Sequence, residues 1–130
     1  MEFRRVLFRS QHRDHTHPGV HLVQDWIVEH PGRRATLEVL AEVAAVSPRH
    51  LTRIFREATG VTLATFARRV KLEVARSLAA NLALTLEAIA GQCGFEDARQ
   101  LRRLWKQQYG STMSSVRRAQ RQRSLASRSR

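Results

Sequence analysis

The sequence predicts an all-α protein of about seven helices, in which a short helix, a tight turn and a longer helix occur twice. Three observations carry this. Apolar residues recur at helical spacing along the 130-residue chain, and no segment alternates convincingly as a strand would. Helix starts and stops fall at definite places, with Thr36, Ser47-Pro48, Thr62 and Thr85 as starts and Gly60 and Cys93-Gly94 as stops. Shifted by 50 positions, the segment Ser47 to Gly60 overlays the helix in "EDARQLRRLWKQQYG".

The elements follow in order. Residues 1–10, "MEFRRVLFRS", are expected to be a non-native segment: Glu2 to Ser10 back-translate without mismatch to GAG TTC AGA CGT GTG CTC TTC CGA TCT, the end of a common short-read sequencing adapter. Residues 11–19 are polar, end in Pro-Gly and read as a linker. A first helix is predicted from about Val20 to Glu29, with Val20, Val23, Trp26 and Ile27 at helical spacing and Pro31-Gly32 as its stop. Thr36 caps a second helix ending near Ala44, and Ser47-Pro48 opens a third that closes at Gly60. Thr62 then caps a long helix with Leu63, Phe66, Val70, Val74 and Leu78 on one stripe, ending around Asn81. Thr85 starts a short helix toward Cys93-Gly94, the helix in "EDARQLRRLWKQQYG" follows, and the last lies near Thr112 to Ala119. The remainder, 119–130, is basic, Ser-rich and without apolar periodicity, and is predicted to be a disordered tail.

At the 50-residue shift, Leu51, Ile54, Phe55 and Gly60 fall on Leu101, Leu104, Trp105 and Gly110, while Arg49, Arg53 and Arg56 fall on Arg99, Arg103 and Lys106. In each copy the apolar residues form one stripe and the cations lie roughly opposite. Upstream, Leu40-Ala41 matches Ile89-Ala90 at a shift of 49, so one residue is inserted in the second turn. Each copy is a helix-turn-helix, and the architecture is two helix-turn-helix subdomains joined by a long connecting helix. A lone helix of this kind reads equally well as a solvated surface helix. Two copies with matching charge positions favour a charged face that meets a ligand. The connecting helix, Thr62 to about Ala80, would span about 28 Å, against about 34 Å between successive major-groove faces on one side of B-DNA. Bending of the DNA would supply the difference.

Charge points the same way. The net charge is +12; leaving out residues 1–10 removes three Arg and one Glu, and +10 remains. Such a surface suits a polyanion, nucleic acid first and anionic membrane second. Cys93 is the single cysteine, so no intramolecular disulfide forms and the cytoplasm is the expected location. The longest near-apolar stretch, Leu78 to Leu86, is broken by Asn81 and Thr85 and falls well short of a membrane span.

"LAEVAAVSPRHLTRIFREATGVTLATFARRVKLEVARSLA" resembles the first helix-turn-helix and connecting helix of the AraC/XylS family of bacterial transcriptional regulators, and "EAIAGQCGFEDARQLRRLWKQQYGSTMSSVRRAQ" its second. The second segment carries the family's Ile-Ala, Gly-Phe and spaced aromatic-Gly pattern, and the resemblance covers residues 20–118. Met113 and Val116 stand where the family usually has Pro and an aromatic, and Trp105 replaces the usual Phe. "SPRHLTRIFR" and "LRRLW" are similar to members with an amidotransferase-like sensing domain ahead of the DNA-binding unit, a domain absent from this sequence. The resemblance implies a fragment of a longer regulator, with double-stranded promoter or operator DNA as partner, RNA polymerase as a second partner, and no small-molecule effector within this fragment.

By position, the first two turns of each second helix meet base edges. Those residues are Arg49, Thr52 and Arg53 in the first unit and Arg99, Arg102 and Arg103 in the second. Arginine suits guanine because its planar fork donates two hydrogen bonds to O6 and N7. Ser47, Arg56, Arg69, Lys71, Lys106, Arg117 and Arg118 are assigned to phosphates, setting affinity and register. Leu51, Phe55, Leu101 and Trp105 are assigned to the core.

Other constellations carry less. His12, His15, His17 and His21 crowd together, but no Cys or carboxylate completes a metal-ligand spacing, and a His-rich linker is the favoured reading. Cys93 is read as a packing residue rather than a redox sensor. Neither a Gly-rich phosphate loop, a carboxylate pair in an apolar setting nor a nucleophile elbow occurs, so no enzyme, cofactor or metal is expected. The competing functions are a non-specific basic protein that coats nucleic acid and a membrane-surface protein using its Arg-rich faces. Neither explains the repeat.

Overall fold

The computed structural model describes residues 17–33 and 35–128. Within them the chain forms seven helices: α1 (Pro18–Glu29), α2 (Leu37–Ala44), α3 (Pro48–Thr59), α4 (Leu63–Ala79), α5 (Leu86–Cys93), α6 (Ala98–Tyr109) and α7 (Met113–Arg128). They divide into two compact units, Met1–Val70 and Lys71–Arg130. The expected adapter-derived segment 1–10 and His12 and His15 lie outside the described residues.

In the first unit, α2 starts where the Thr36 hydroxyl accepts from the Val39 N–H at 3.2 Å, and α3 where Ser47 accepts from the His50 N–H at 3.1 Å with Pro48 in the first turn. Each hydroxyl satisfies one of the backbone donors that a helix start leaves unpaired. Gly60, at φ 81°, ends α3. The core gathers Val20, Val23 and Ile27 of α1, Leu40 and Ala44 of α2, Leu51, Ile54 and Phe55 of α3, and Phe66 and Val70 of α4. The Phe55 and Phe66 rings meet edge to face at 5.6 Å.

The second unit repeats the scheme. Thr85 caps α5 through the Ala88 N–H at 3.1 Å, Asp97 caps α6 through the Gln100 N–H at 2.8 Å, and Gly110, at φ 77°, ends α6. The Gln100 side chain returns a bond from the Glu96 N–H at 2.9 Å, which braces the turn from both sides. Its core is Leu72, Ala75 and Ala79 of α4, Ile89, Ala90 and Cys93 of α5, Leu101 and Trp105 of α6, Phe95 and Met113. Cys93 is fully buried, as a packing role requires. Met113 is buried too, so it fills the position that the AraC resemblance gives to Pro.

Three expectations are corrected. Helix α1 begins at Pro18, inside the segment read as linker 11–19, because His17 caps it and proline's fixed φ suits a first turn. The long helix packs its expected stripe of Leu63, Phe66, Val70, Val74 and Leu78 against the two cores, but it also buries a second set, Leu72, Ala75 and Ala79, that one stripe does not provide for. Helix α7 continues to Arg128 through the segment 119–130 read as a disordered tail. Arg, Gln, Ala and Leu favour helix and no Gly or Pro interrupts them, so propensity carries the helix beyond its packed start. Arg123 donates to Gln120 at 2.9 Å on that stretch.

Candidate nucleic-acid interface

Helix α3 turns Leu51, Ile54, Phe55 and Thr59 inward, and this orients the rest. Arg49, Thr52, Arg53 and Arg56 are all exposed. Helix α6 buries Ala98, Leu101 and Trp105, and leaves Arg99, Arg102, Arg103 and Lys106 exposed. The expected base-reading residues therefore share the outward side of each second helix. Among the described residues, the three arginines of α6 have no hydrogen-bond or ion-pair partner.

The two faces differ in detail. On α3 the Arg53 guanidinium donates to Glu57 at 3.3 Å and to His50 Nδ1 at 2.8 Å. Thr52 spends its hydroxyl proton on the Pro48 carbonyl at 3.0 Å, which leaves its lone pairs and methyl group to face a ligand. Helix α6 has no acidic residue, and Gln100 and Gln107 stand where α3 has His50 and Glu57.

The residues assigned to phosphates separate into two groups. Ser47, Arg56, Arg69, Lys106 and Arg118 are exposed. Arg117 is not available: it is 7% exposed, and its guanidinium donates to the backbone carbonyls of Leu84 and Asn81. It lies four residues after buried Met113 on the same side of α7, which carries its side chain under the loop following α4. That i, i+4 spacing is the signal that identifies it as a brace. Lys71 is half-buried, donates to the Gly94 carbonyl at 3.4 Å and lies 6.0 Å from the Phe95 ring centroid, so it braces the α5–α6 turn. At the end of α6, Tyr109 packs on Trp105 at 4.7 Å and under Arg76 at 5.1 Å. Burial, helped by the Glu73 carboxylate and opposed by Arg76, raises the Tyr109 hydroxyl from 10.0 to about 12.

Among the described residues no group of His, Cys, Asp and Glu could hold a metal ion. No helix among them is long and apolar enough to cross a membrane.

These features recur in known proteins. A family model described as a helix-turn-helix domain matches residues 40–119. The HTH-type transcriptional regulator Rv1931c of Mycobacterium tuberculosis is 36% identical over 80 residues, covering 62% of this chain and 31% of that protein. GlxA of Rhizobium meliloti, also an HTH-type transcriptional regulator, is 35% identical over 79 residues, covering 61% of this chain and 24% of its own. The chain thus spans about a third or less of these relatives' length. Among solved structures, the DNA-binding domain of AdpA, described as a global transcriptional factor in complex with a target DNA, superimposes with a TM-score of 0.74 at 30% identity, covering 81% of this chain and 95% of that one. A probable AraC family transcriptional regulator from Rhodopseudomonas palustris gives 0.73 at 26% identity, covering 79% and 97%. With the family model matching more than half of the chain, and two capped, matched helix-turn-helix units in the fold, the chain belongs to the AraC-type helix-turn-helix family of transcriptional regulators.

Proposed function

We infer that this chain binds double-stranded DNA sequence-specifically and regulates transcription, with α3 and α6 entering successive major grooves. One observation carries the reading: two helices with matched caps and matched buried stripes each present arginines outward at corresponding positions. Arg49, Thr52, Arg53, Arg99, Arg102 and Arg103 are the base readers in this account. Ser47, Arg56, Arg69, Lys106 and Arg118 hold phosphates, while Arg117 and Lys71 position the turns. The relative bound to a target DNA is similar over most of this chain, which supports DNA as the partner. The chain acts as the DNA-binding portion of a longer cytoplasmic regulator that communicates with RNA polymerase, and it catalyses no reaction.

Competition binding at fixed salt tests this. Duplex recovered by in vitro selection with this chain should outcompete random-sequence duplex by about 10³-fold or more. Equal affinity for both would leave only a basic protein that coats nucleic acid.

A further inference from the structure

We propose that Glu57 determines specificity by latching Arg53, so that the first unit engages DNA only where a base offers Arg53 more than Glu57 does. This rests on the reading that α3 faces DNA. Arg53 and Glu57 lie one turn apart on α3, and both oxygens of the carboxylate are 3.3 Å from the same guanidinium nitrogen. The other terminal nitrogen of Arg53 donates to His50 Nδ1 at 2.8 Å, which makes that ring nitrogen an acceptor. Two of the fork's donors are thus occupied before any ligand arrives. The pair is 58% and 63% exposed, so the latch is weak and a good acceptor can open it.

Helix α6 is the internal comparison. Arg103 occupies the position of Arg53, but Gln100 replaces His50 and Gln107 replaces Glu57. Three arginines and a lysine stand there with no acid on the helix, whereas α3 carries three arginines and one glutamate. A phosphate is attractive to any free cation whatever the sequence. The bidentate O6/N7 acceptor of a guanine is sequence information. A carboxylate beside Arg53 lowers the first kind of binding throughout and leaves the second open at the right base. Both helices read bases, but α3, with its carboxylate, contributes less sequence-independent attraction than α6.

The test uses the full chain with two probes, a random-sequence duplex and the duplex recovered by in vitro selection, at one salt concentration. Glu57→Gln should tighten binding to random duplex about two- to fivefold, the size an exposed ion pair allows, and change the selected duplex less, so that their ratio falls. Gln107→Glu, which installs the same carboxylate beside Arg103, should weaken random-duplex binding by a similar factor and raise the ratio. If Glu57→Gln leaves the ratio unchanged, or lowers it by weakening the selected duplex, Glu57 is inert or contacts a base itself, and the latch is refuted. Arg53→Ala separates this from failure of the underlying reading: if it leaves selected-duplex binding intact, α3 does not read DNA at that position. Exposure of Glu57 and Gln107 makes loss of fold an implausible source of these shifts, and unchanged melting temperatures of both variants verify it.

Discussion

Arg103 and Lys106 lie about one turn apart on α6, both exposed, yet their proposed roles differ. Arg103→Ala should weaken binding at particular base pairs, by about 1–3 kcal/mol each, whereas Lys106→Ala should weaken all sequences alike and lower the salt slope by about 1. Titrations at several salt concentrations against single-base variants of the selected duplex distinguish the two. Arg117 makes a third kind of contribution. Its buried guanidinium satisfies two loop carbonyls, so Arg117→Ala should destabilise the fold by about 1.5–3 kcal/mol in urea unfolding and leave the salt slope unchanged. Tyr109 adds a pH signature. The fold favours its neutral phenol, with the hydroxyl raised from 10.0 to about 12, so its contribution is intact below the unfolded value and is lost as pH rises through the folded one. Between pH 10 and about 12 the wild-type protein should lose stability relative to Tyr109→Phe, and below pH 10 their difference should be constant.

The helix caps show how far an element can be read from its residues. Thr36, Ser47, Thr62 and Thr85 sit where the sequence places them, because a short oxygen-bearing side chain followed by an apolar period leaves few other conformations. The outward arginines of α3 and α6 were legible for the same reason: the apolar stripe leaves them only one side. The brace formed by Arg117 and the latch on Arg53 were harder to see, since charge in sequence does not say whether its partner is a phosphate, a carbonyl or a neighbouring carboxylate. The end of α7 escaped periodicity because that stretch is held by propensity rather than by packing. The turn of the first unit hides a further cost. Ala45 ends α2 at φ 59°, while its counterpart in the repeat, Gly94, adopts φ 84°. A left-handed alanine is strained and a glycine is not. Ala45→Gly should therefore stabilise the protein by about 0.5–1 kcal/mol, read as a higher urea midpoint with an unchanged m-value.

At the scale of the whole molecule, a net charge of +12 ensures attraction to any duplex, and this attraction alone would coat DNA without choosing a site. On the proposed reading, choice comes from the repeat: two reading helices of different sequence call for a site in two unlike blocks. The most direct measurement is in vitro selection from a random duplex pool, carried out in parallel with the wild-type chain, Arg53→Ala and Arg103→Ala. Two enriched blocks with centres about 10 base pairs apart are expected, with Arg53→Ala erasing preferences in one block and Arg103→Ala in the other. A single block, or equal erosion of both blocks by each variant, would contradict it.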